Sequence, residues 1–182
     1  MSVEVFLDTN VLIYAVSSSP QEAAKKDRAL DLIEGEDFGL SAQVLQEFYV
    51  NVTQKIAQPL PSDIAVELLE QFRQFPMALT DYPLIVAGIE TSLRYGISYW
   101  DGAIVAAAAT LGARTLFSED LNHGQKYGDV RVVNPFPAGG SSVCHAAETA
   151  PYGKSSDTGS GAGRPRHTSR GRHDSLAAML RY

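Results

Sequence analysis

The sequence predicts an α/β domain built around a mostly parallel β-sheet. Short apolar runs typical of strands alternate with longer segments of helical period, and this alternation is the pattern of strand–helix–strand units. The chain has 182 residues, of which 45% are hydrophobic, so it can bury the core of one medium-sized domain. Its composition changes near residue 137, and we therefore expect the folded domain to occupy residues 1–136.

Each expected element has a start and a stop in the sequence. The first strand is rich in Val and Phe and ends at a polar turn, and the later strands are equally short apolar runs. Helices begin at capping residues such as Ser41 and end at glycines such as Gly35, Gly96 and Gly112. In chain order, the expected elements are strand 3–7, helix 11–16, helix 21–35, strand 38–40, helix 42–56, helix 62–75, strand 77–80, helix 84–95, helix 100–111, and strands 115–118 and 130–133.

Charge and composition separate a C-terminal tail from the domain. The whole chain has a formal net charge of −6, but residues 1–136 contain 9 basic and 18 acidic residues, a net charge of −9. Residues 137–182 contain 7 glycines, 7 serines and few large apolar residues, so burial cannot offset their ordering entropy. We expect a disordered basic tail, with one or two helical turns at most over residues 175–182. Deleting this tail should leave the melting temperature nearly unchanged.

Simple counts exclude several classes of protein. The single cysteine, Cys144, excludes a disulfide framework and a zinc site built on several thiolates. No apolar run reaches the roughly 18 residues of a membrane-spanning helix. The chain opens with a strand-like run that carries Glu4 and Asp8, not with a basic stub and a long apolar stretch, so we expect no signal peptide. These features predict a cytoplasmic protein without membrane contact.

Three acidic positions lie where an α/β sheet gathers its ligands, at the carboxyl ends of strands or at a helix start. Asp8 comes directly after the first strand, either as a site residue or as a cap of the next helix. Asp120, with Glu119 beside it, follows the fourth strand. Asp101 begins a nearly all-apolar helix, where the Ser98–Asp101 spacing also fits a capping box.

A fourth acid, Glu47, lies at the shoulder of the apolar face of its helix, where a solvated helix residue is the alternative to a site residue. If the four acids converge, repulsion is severe, because two carboxylates about 4 Å apart cost roughly 4 kcal/mol at an intermediate dielectric. Such a cluster requires shared protons or a divalent cation. Oxygen ligands favour Mg²⁺ or Mn²⁺, and Mg²⁺ prefers phosphate oxygens, so the implied substrate is a phosphoester.

The order and spacing of four segments resemble those of the PIN-domain ribonucleases. The segments are FLDTNVLIYAV, SAQVLQEFYV, SYWDGAIVAAAA and TLFSEDLNHGQ. The likeness is greatest to the VapC toxins of prokaryotic toxin–antitoxin pairs, and it covers about residues 3–136. It implies a three-layer α/β/α sandwich with a sheet of about five strands, an acidic pocket that holds Mg²⁺ or Mn²⁺, and hydrolysis of RNA.

The resemblance assigns the catalytic acids to Asp8, Glu47, Asp101 and Asp120. Of these, Asp8, Asp101 and Asp120 are the implied metal ligands, while Glu47 completes the shell or orients the attacking water. Glu119 is an extra acid that competes with Asp120 for the ligand role. The implied reaction is in-line attack of water on the phosphate, which leaves a 5′-phosphate and a 3′-hydroxyl. The supporting residues are Thr9, Asn10, Ser118 and Glu119.

The same resemblance implies an RNA substrate, a cognate antitoxin and a homodimer. Two unusually apolar helices at residues 60–75 and 84–95 either suit such partners or both pack on the sheet. The net charge of −9 is unfavourable for general nucleic-acid binding, so we expect selective contacts through local basic residues. Tyr99 and Trp100 either stack a splayed base or pack beneath the sheet edge. The basic candidates are Lys55, Arg94, Arg114 and Lys126.

Two other enzyme classes fit the sequence less well. A haloacid-dehalogenase-type phosphatase requires a second Asp two residues after the first, where this sequence has Asn10. A receiver-type domain requires an acidic pair before its acceptor Asp, and the first strand supplies only Glu4 and Asp8. A housekeeping PIN-type nuclease and a catalytically silent PIN-like scaffold are the remaining alternatives, although the scaffold is expected to have lost some of the four acids.

Overall fold

Six strands form one sheet in the computed structural model, which describes residues 2–136, 173, 176 and 178–180. The strands are β1 (Val5–Leu7), β2 (Phe38–Ser41), β3 (Met77–Ala78), β4 (Thr115–Phe117), β5 (Lys126–Tyr127) and β6 (Val130–Val133). Their order across the sheet is β3-β2-β1-β4-β6-β5. Neighbouring strands are parallel except for β5, which pairs antiparallel with β6.

In residues 2–136, helices connect the strands from β1 to β4, whereas short loops connect β4 to β5 and β5 to β6. The helices are α1 (Thr9–Val16), α2 (Ala23–Gly35), α3 (Ala42–Gln54), α4 (Ser62–Phe72), α5 (Tyr82–Tyr95) and α6 (Tyr99–Thr110), with a 3-10 turn at Pro20–Glu22. Helix α6 packs against α5 and the sheet, and α1 packs against α2 and α3. The expected α/β sandwich with a mostly parallel sheet is therefore confirmed. Within the described residues, no helix is long and apolar enough to cross a membrane.

The two central strands bring Asp8 and the loop after β4 to one edge of the sheet. Strands β1 and β4 are parallel and adjacent, with Leu7 opposite Phe117. The backbone N–H of Asp8 donates a hydrogen bond of 3.0 Å to the carbonyl oxygen of Phe117. Because Ser118 follows Phe117 directly, the chain places Asp8 and Ser118 side by side at the carboxyl ends of their strands.

Two of the differences from the expected set of elements have a clear physical reason. Helix α1 begins at Thr9 rather than residue 11, because the Asp8 carboxylate caps the helix and accepts the Thr9 N–H at 2.7 Å. Strand β5 is a sixth strand, which no apolar run in the sequence predicts. It exists because Gly128, with a φ of 62°, closes a hairpin in which Tyr127 pairs with Val130.

Helices α5 and α6 approach each other unusually closely through two glycines. A Cβ atom added at Gly102 would lie 2.5 Å from the carbonyl oxygen of Gly88 and 2.9 Å from the backbone nitrogen of Ser92. One added at Gly88 would lie 3.0 Å from the Cα of Ala103. The first turn of α6, which carries Asp101, is therefore held directly against the backbone of α5.

The C-terminal segment, which we define as His173, Leu176, Ala178, Met179 and Leu180, is helical at each of these residues. Leu176 and Leu180 are buried, and His173 Nδ1 lies 2.6 Å from the carbonyl oxygen of Ile33, with its ring edge-on to Phe75. The sequence allowed one or two helical turns over residues 175–182, but it did not indicate that apolar side chains of this segment would pack on the domain. The rest of the expected tail lies outside the described residues.

Candidate active site

Asp8 lies at the centre of a polar cluster and also caps the helix that follows it. One carboxylate oxygen, Oδ1, accepts the Thr9 N–H and caps α1. The other, Oδ2, accepts a hydrogen bond of 2.6 Å from the Ser118 hydroxyl and one of 3.3 Å from the Asn10 amide. The side chain is 8% exposed, so it forms the floor of the cluster.

Asp120 joins the cluster from the loop after β4. Its carboxylate accepts a hydrogen bond of 3.1 Å from Asn10 Nδ2, the same nitrogen that contacts Asp8. Its backbone N–H donates to the Ser118 hydroxyl at 3.2 Å. Asn10 and Ser118 thus hold the two aspartates near each other, and the exposed Asp120 forms the rim above the buried Asp8.

Glu47 reaches the same cluster from α3, a helix capped at Ser41, whose hydroxyl accepts the Val44 N–H at 3.2 Å. Both carboxylate oxygens of Glu47 have donors. The Thr9 hydroxyl donates to Oε2 at 3.2 Å, and Gln43 Nε2 donates to Oε1 at 2.8 Å. Glu47 is therefore fixed in place, and it faces Asp8 from across the cluster.

Asp101 takes part in capping its own helix. The Ser98 hydroxyl donates to its carboxylate at 2.8 Å, and its backbone N–H donates to that hydroxyl at 3.1 Å. In the part of the chain that the structure describes, no side chain that donates to Asp8, Glu47 or Asp120 also donates to the Asp101 carboxylate. Among those residues, no three acidic, His or Cys side chains stand close enough to hold one cation together. The structure thus gathers three of the four acids and leaves Asp101 at the margin.

Glu119 points away from the cluster and is paired elsewhere. Lys25 on α2 forms an ion pair of 2.7 Å with its carboxylate, and the Tyr14 hydroxyl donates to the other carboxylate oxygen. The Lys25 ammonium also lies 2.6 Å from the Tyr14 hydroxyl and 4.2 Å from the centre of its ring. Asp120 alone of this acidic pair faces Asp8.

The negative charge of the cluster is not compensated by the part of the chain that the structure describes. Burial raises the pKa of Asp8 to about 6, the hydrogen bonds from Ser118 and Thr9 lower it, and the charges of Asp120 and Glu47 raise it further. Within residues 2–136, no Lys, Arg or His side chain forms a hydrogen bond or ion pair with these three acids. A bound cation would supply the missing charge.

The donor set fits a hard divalent cation. All the candidate ligands are oxygens, which suit Mg²⁺ or Mn²⁺ and disfavour metals that prefer nitrogen or sulfur. The Asn10 Oδ1 atom is buried and has no hydrogen-bond partner. A buried acceptor without a donor costs free energy, and a cation or a cation-bound water at the cluster would satisfy it.

Comparison with known proteins assigns the family. The sequence matches the PIN domain family over residues 5–128, a span that contains every residue of the cluster. The chain belongs to the PIN domain family. Members of this family are generally nucleases, which agrees with the oxygen-rich cluster at the sheet edge of this PIN domain. No curated protein has a sequence similar to this chain.

Solved structures share the fold of this PIN domain. FitAcB from Neisseria gonorrhoeae is 22% identical with a TM-score of 0.52, and the match covers 72% of this chain and 97% of that chain. VapC20 from Mycobacterium tuberculosis, described as a sarcin–ricin loop cleaving toxin, is 16% identical with a TM-score of 0.53, covering 64% and 91%. FitAB bound to the IR36 DNA fragment is 22% identical with a TM-score of 0.52, covering 72% and 94%. Identities this low show the shared fold alone.

One residue of the PIN-domain site escaped the sequence analysis. Gln43 is buried, and its Nε2 donates both to Glu47 and, at 3.3 Å, to the carbonyl oxygen of Trp100. It therefore ties α3 to the start of α6 beside Asp101. The available signal was its position four residues before Glu47, which places both side chains on one face of α3.

The basic residues expected to contact nucleic acid lie in different places. Lys55 lines a groove that begins at Glu47, whereas Arg94 and Arg114 line a separate cavity of about 530 Å³ beside Tyr127. Lys126 lies on the edge strand β5. Of the four, Lys55 is the one that shares a surface depression with a residue of the cluster.

Proposed function

We propose that this PIN domain is a Mg²⁺- or Mn²⁺-dependent endoribonuclease and the toxin of a toxin–antitoxin pair. The observation that carries the proposal is the cluster of Asp8, Glu47 and Asp120, with its uncompensated charge and its unsatisfied Asn10 oxygen. The description of VapC20 as a loop-cleaving toxin supports RNA as the substrate class. The nuclease family supports cleavage of phosphodiester bonds.

In this proposal, Asp8 and Asp120 would hold the cation, Asn10 Oδ1 would accept from a cation-bound water, and Asp101 would be the third carboxylate ligand once it leaves Ser98. When bound, the cation polarises the scissile phosphate and lowers the pKa of a bound water. Ser118 and Asn10 keep the Asp8 and Asp120 carboxylates oriented, because each donates a hydrogen bond to an oxygen of the cluster.

Glu47 is the proposed base. Thr9 and Gln43 hold its two oxygens, so its carboxylate can orient the attacking water and accept a proton from it. The water oxygen forms a bond to phosphorus while the bond from phosphorus to the 3′-oxygen breaks. The 3′-oxygen takes a proton from solvent, and the products are a 5′-phosphate and a 3′-hydroxyl.

Asp120, not Glu119, is the fourth acid in this proposal. Glu119 already forms an ion pair with Lys25, and moving its carboxylate into the cluster would leave that ammonium and the Tyr14 hydroxyl without their partner. Asp120 shares the Asn10 amide with Asp8.

The proposed partners are a second copy of the chain and an antitoxin. Helix α5 exposes Tyr82, Ile89 and Leu93 on one side, and Tyr82 and Leu93 are 78% and 80% exposed. An apolar helix face that recurs on each copy suits a two-fold dimer. An antitoxin would inhibit most directly by placing a cationic side chain in the acidic cluster, where it would replace the metal charge and block the phosphate.

Cleavage of a structured RNA by the purified protein tests the nuclease proposal. Activity should require Mg²⁺ or Mn²⁺ and should stop on addition of EDTA. Asp8→Asn and Asp120→Asn should each lose at least about 100-fold, the scale of losing a transition-state electrostatic contact. Full Mg²⁺-dependent activity in both variants would show that this cluster is not the site.

The matched control is Glu119→Gln, one residue from Asp120. This variant should keep activity within a few-fold, because Glu119 binds Lys25 rather than the cluster. Equal losses in the Glu119 and Asp120 variants would instead indicate a disturbed loop.

The toxin role is tested separately by sedimentation of the protein with and without the product of the neighbouring gene. A monomer that binds no small protein yet cuts RNA would refute the toxin role and leave a housekeeping nuclease.

A further inference from the structure

Trp100 is the most unusual exposed residue next to the cluster. It is the single tryptophan of the chain and is 63% exposed, so it does not pack beneath the sheet edge. It lies in the first turn of α6, directly before Asp101, and its ring contacts the Tyr99 ring edge-on at 5.2 Å between centres. A large aromatic face held in water on a rigid helix requires an explanation.

The Trp100 ring forms one wall of a groove along α3. The groove has a volume of about 340 Å³, and its other walls include Gln46, Glu47, Asn51 and Lys55. Glu47 belongs both to this groove and to the cluster of acids, so the groove opens directly from the proposed reaction centre. Polar side chains and the apolar Val50 line it between the tryptophan and the lysine.

Gln43 fixes the position of Trp100 relative to Glu47. Its Nε2 donates to the backbone carbonyl of Trp100 at 3.3 Å and to Glu47 Oε1 at 2.8 Å. The backbone at Trp100 is thereby placed one bridging side chain away from an acid whose two oxygens are both held, and the ring itself contacts Tyr99. A ligand stacked on Trp100 would have a defined distance to the acids.

Lys55 supplies positive charge at the far end of the groove. It is exposed, and within the described residues its ammonium forms no hydrogen bond or ion pair. Residues 1–136 have a net charge of −9, so most of the surface repels a polyanion. The unpaired lysine gives this groove a local positive charge beside the three acids. A polyanion can enter next to the acids only where such a charge offsets the repulsion.

We propose that this groove binds single-stranded RNA, with an unpaired base stacked on Trp100 and an adjacent phosphate on Lys55. Bases stack on exposed aromatic rings in single-strand sites, while a lysine contacts the backbone. Gln46 and Asn51 also line this groove, so a base stacked on Trp100 would have polar side chains beside it. The identity of the ligand as RNA rests on the proposed function, whereas the stacking geometry rests on the groove.

Tryptophan fluorescence of the full-length protein tests the proposal directly, because Trp100 is the sole tryptophan. The titration is done in EDTA, so binding is measured without cleavage. A short single-stranded RNA should quench the emission saturably, whereas an abasic strand with the same number of phosphates should quench it little. Quenching by neither strand, in a protein that still cleaves RNA with Mg²⁺, would overturn the base subsite and leave the nuclease intact.

Variants separate the base contact from the phosphate contact, with affinity measured by anisotropy of a labelled strand. Trp100→Ala should weaken RNA binding by about 5- to 150-fold, while Trp100→Phe should retain most of the affinity. Lys55→Gln should weaken the RNA and abasic strands alike and lower the slope of log K against log salt by about 0.7. Lys26→Gln, which removes the same charge from α2, should change this slope little.

Two further results would overturn the proposal. If Trp100 emission changes with protein concentration in the absence of RNA, the ring is covered by a second copy of the chain. If Trp100→Ala binds RNA as tightly as the unmodified protein does, the groove does not hold a base. Saturable quenching in a protein that shows no cleavage with any divalent ion would retain the subsite and refute the proposed nuclease function.

Discussion

Asp8 is both a helix cap and a buried acid, and these two roles have opposite effects on stability. Its Oδ1 contact with the Thr9 N–H stabilises α1, a contribution of about 1 kcal/mol for a typical cap. Its burial among other carboxylates raises its pKa from 3.8 to about 6. A shift of this size corresponds to a cost of about 3 kcal/mol for keeping the ionised carboxylate in the fold.

Asp8→Asn should therefore stabilise the metal-free protein at neutral pH. The folded state holds the Asp8 proton more tightly than the unfolded chain does, so wild-type stability falls as the pH rises from about 4 to about 6 and stays lower above that range. The asparagine cannot ionise, and the free energy of unfolding of the variant should exceed that of the wild type by about 1–3 kcal/mol near pH 8. Urea unfolding of both proteins in EDTA, once near pH 4 and once near pH 8, measures this difference in the free energy of unfolding.

The difference between the two proteins should nearly vanish below about pH 4, where Asp8 is protonated in both states. Asp31→Asn on the exposed face of α2 is the matched control and should leave stability nearly unchanged at either pH. A variant at Asp8 that is less stable than the wild type at high pH would show that the cap and the Ser118 bond outweigh the buried charge.

At the scale of elements, the close packing of α5 on α6 decides where Asp101 stands. The glycine at position 102 lets the backbones meet, since an added methyl group would lie 2.5 Å from the Gly88 carbonyl oxygen. The Gly88 carbonyl oxygen and the Ser92 nitrogen, the two atoms that the methyl group would meet, both belong to the backbone of α5. The helices themselves would therefore have to separate. The first turn of α6 would move with them.

Gly102→Ala should consequently destabilise the domain by about 1–3 kcal/mol, the cost of overpacking, although alanine favours helices. Nuclease activity should also fall, because Asp101 and Trp100 precede the displaced residue.

The control is Gly35→Ala at the end of α2, where an added Cβ meets nothing within 4 Å. That variant should be neutral or more stable by up to about 1 kcal/mol. Thermal melts of both variants measure the loss of stability, and activity measured well below the melting temperatures shows whether the site is also disturbed. A Gly102→Ala protein as stable as the wild type would contradict the close contact.

The sequence could predict the elements because their signals are local. Ser41 and Gly96 mark a helix start and a helix end through capping and through the φ of 65° that glycine accepts, and the structure confirms both. Strand β5 could not be predicted, since Lys126 and Tyr127 become a strand only by pairing with β6. Contacts between segments that are distant in the chain could likewise not be predicted from local sequence signals.

The candidate site shows the same limit. Asp8 and Asp120 could be proposed because both follow strands, and strand ends meet at one sheet edge. The pairing of Glu119 with Lys25 could not be foreseen, because it joins residues 94 positions apart in the chain. The bridge from Gln43 to Trp100 likewise depends on how α3 and α6 pack.

At the scale of the whole molecule, the packing of the C-terminal segment could not be predicted from composition. The sequence allowed one or two helical turns over residues 175–182, but a low average of apolar residues over 46 positions gave no sign that they would pack on the domain. Leu176 is fully buried, and Met179 and Leu180 line a cavity of about 560 Å³ with Leu60 and Leu68. A segment that docks in this way adds stability, so deleting the tail should not be neutral.

Leu176→Ala should lower the free energy of unfolding by about 2–5 kcal/mol, the range for removing a buried leucine side chain. Ala178→Ser, on the exposed side of the same helix, should change it by less than about 0.5 kcal/mol. Deleting residues 173–182 should cost at least as much as the leucine variant, since it also removes the His173 contact with Ile33. None of the site residues contacts the C-terminal segment within the described chain, so RNA cleavage well below the melting temperature should persist in all three proteins. Unchanged stability of the leucine variant and the truncated chain in urea would show that the segment does not dock in solution, and the domain would then end near residue 136.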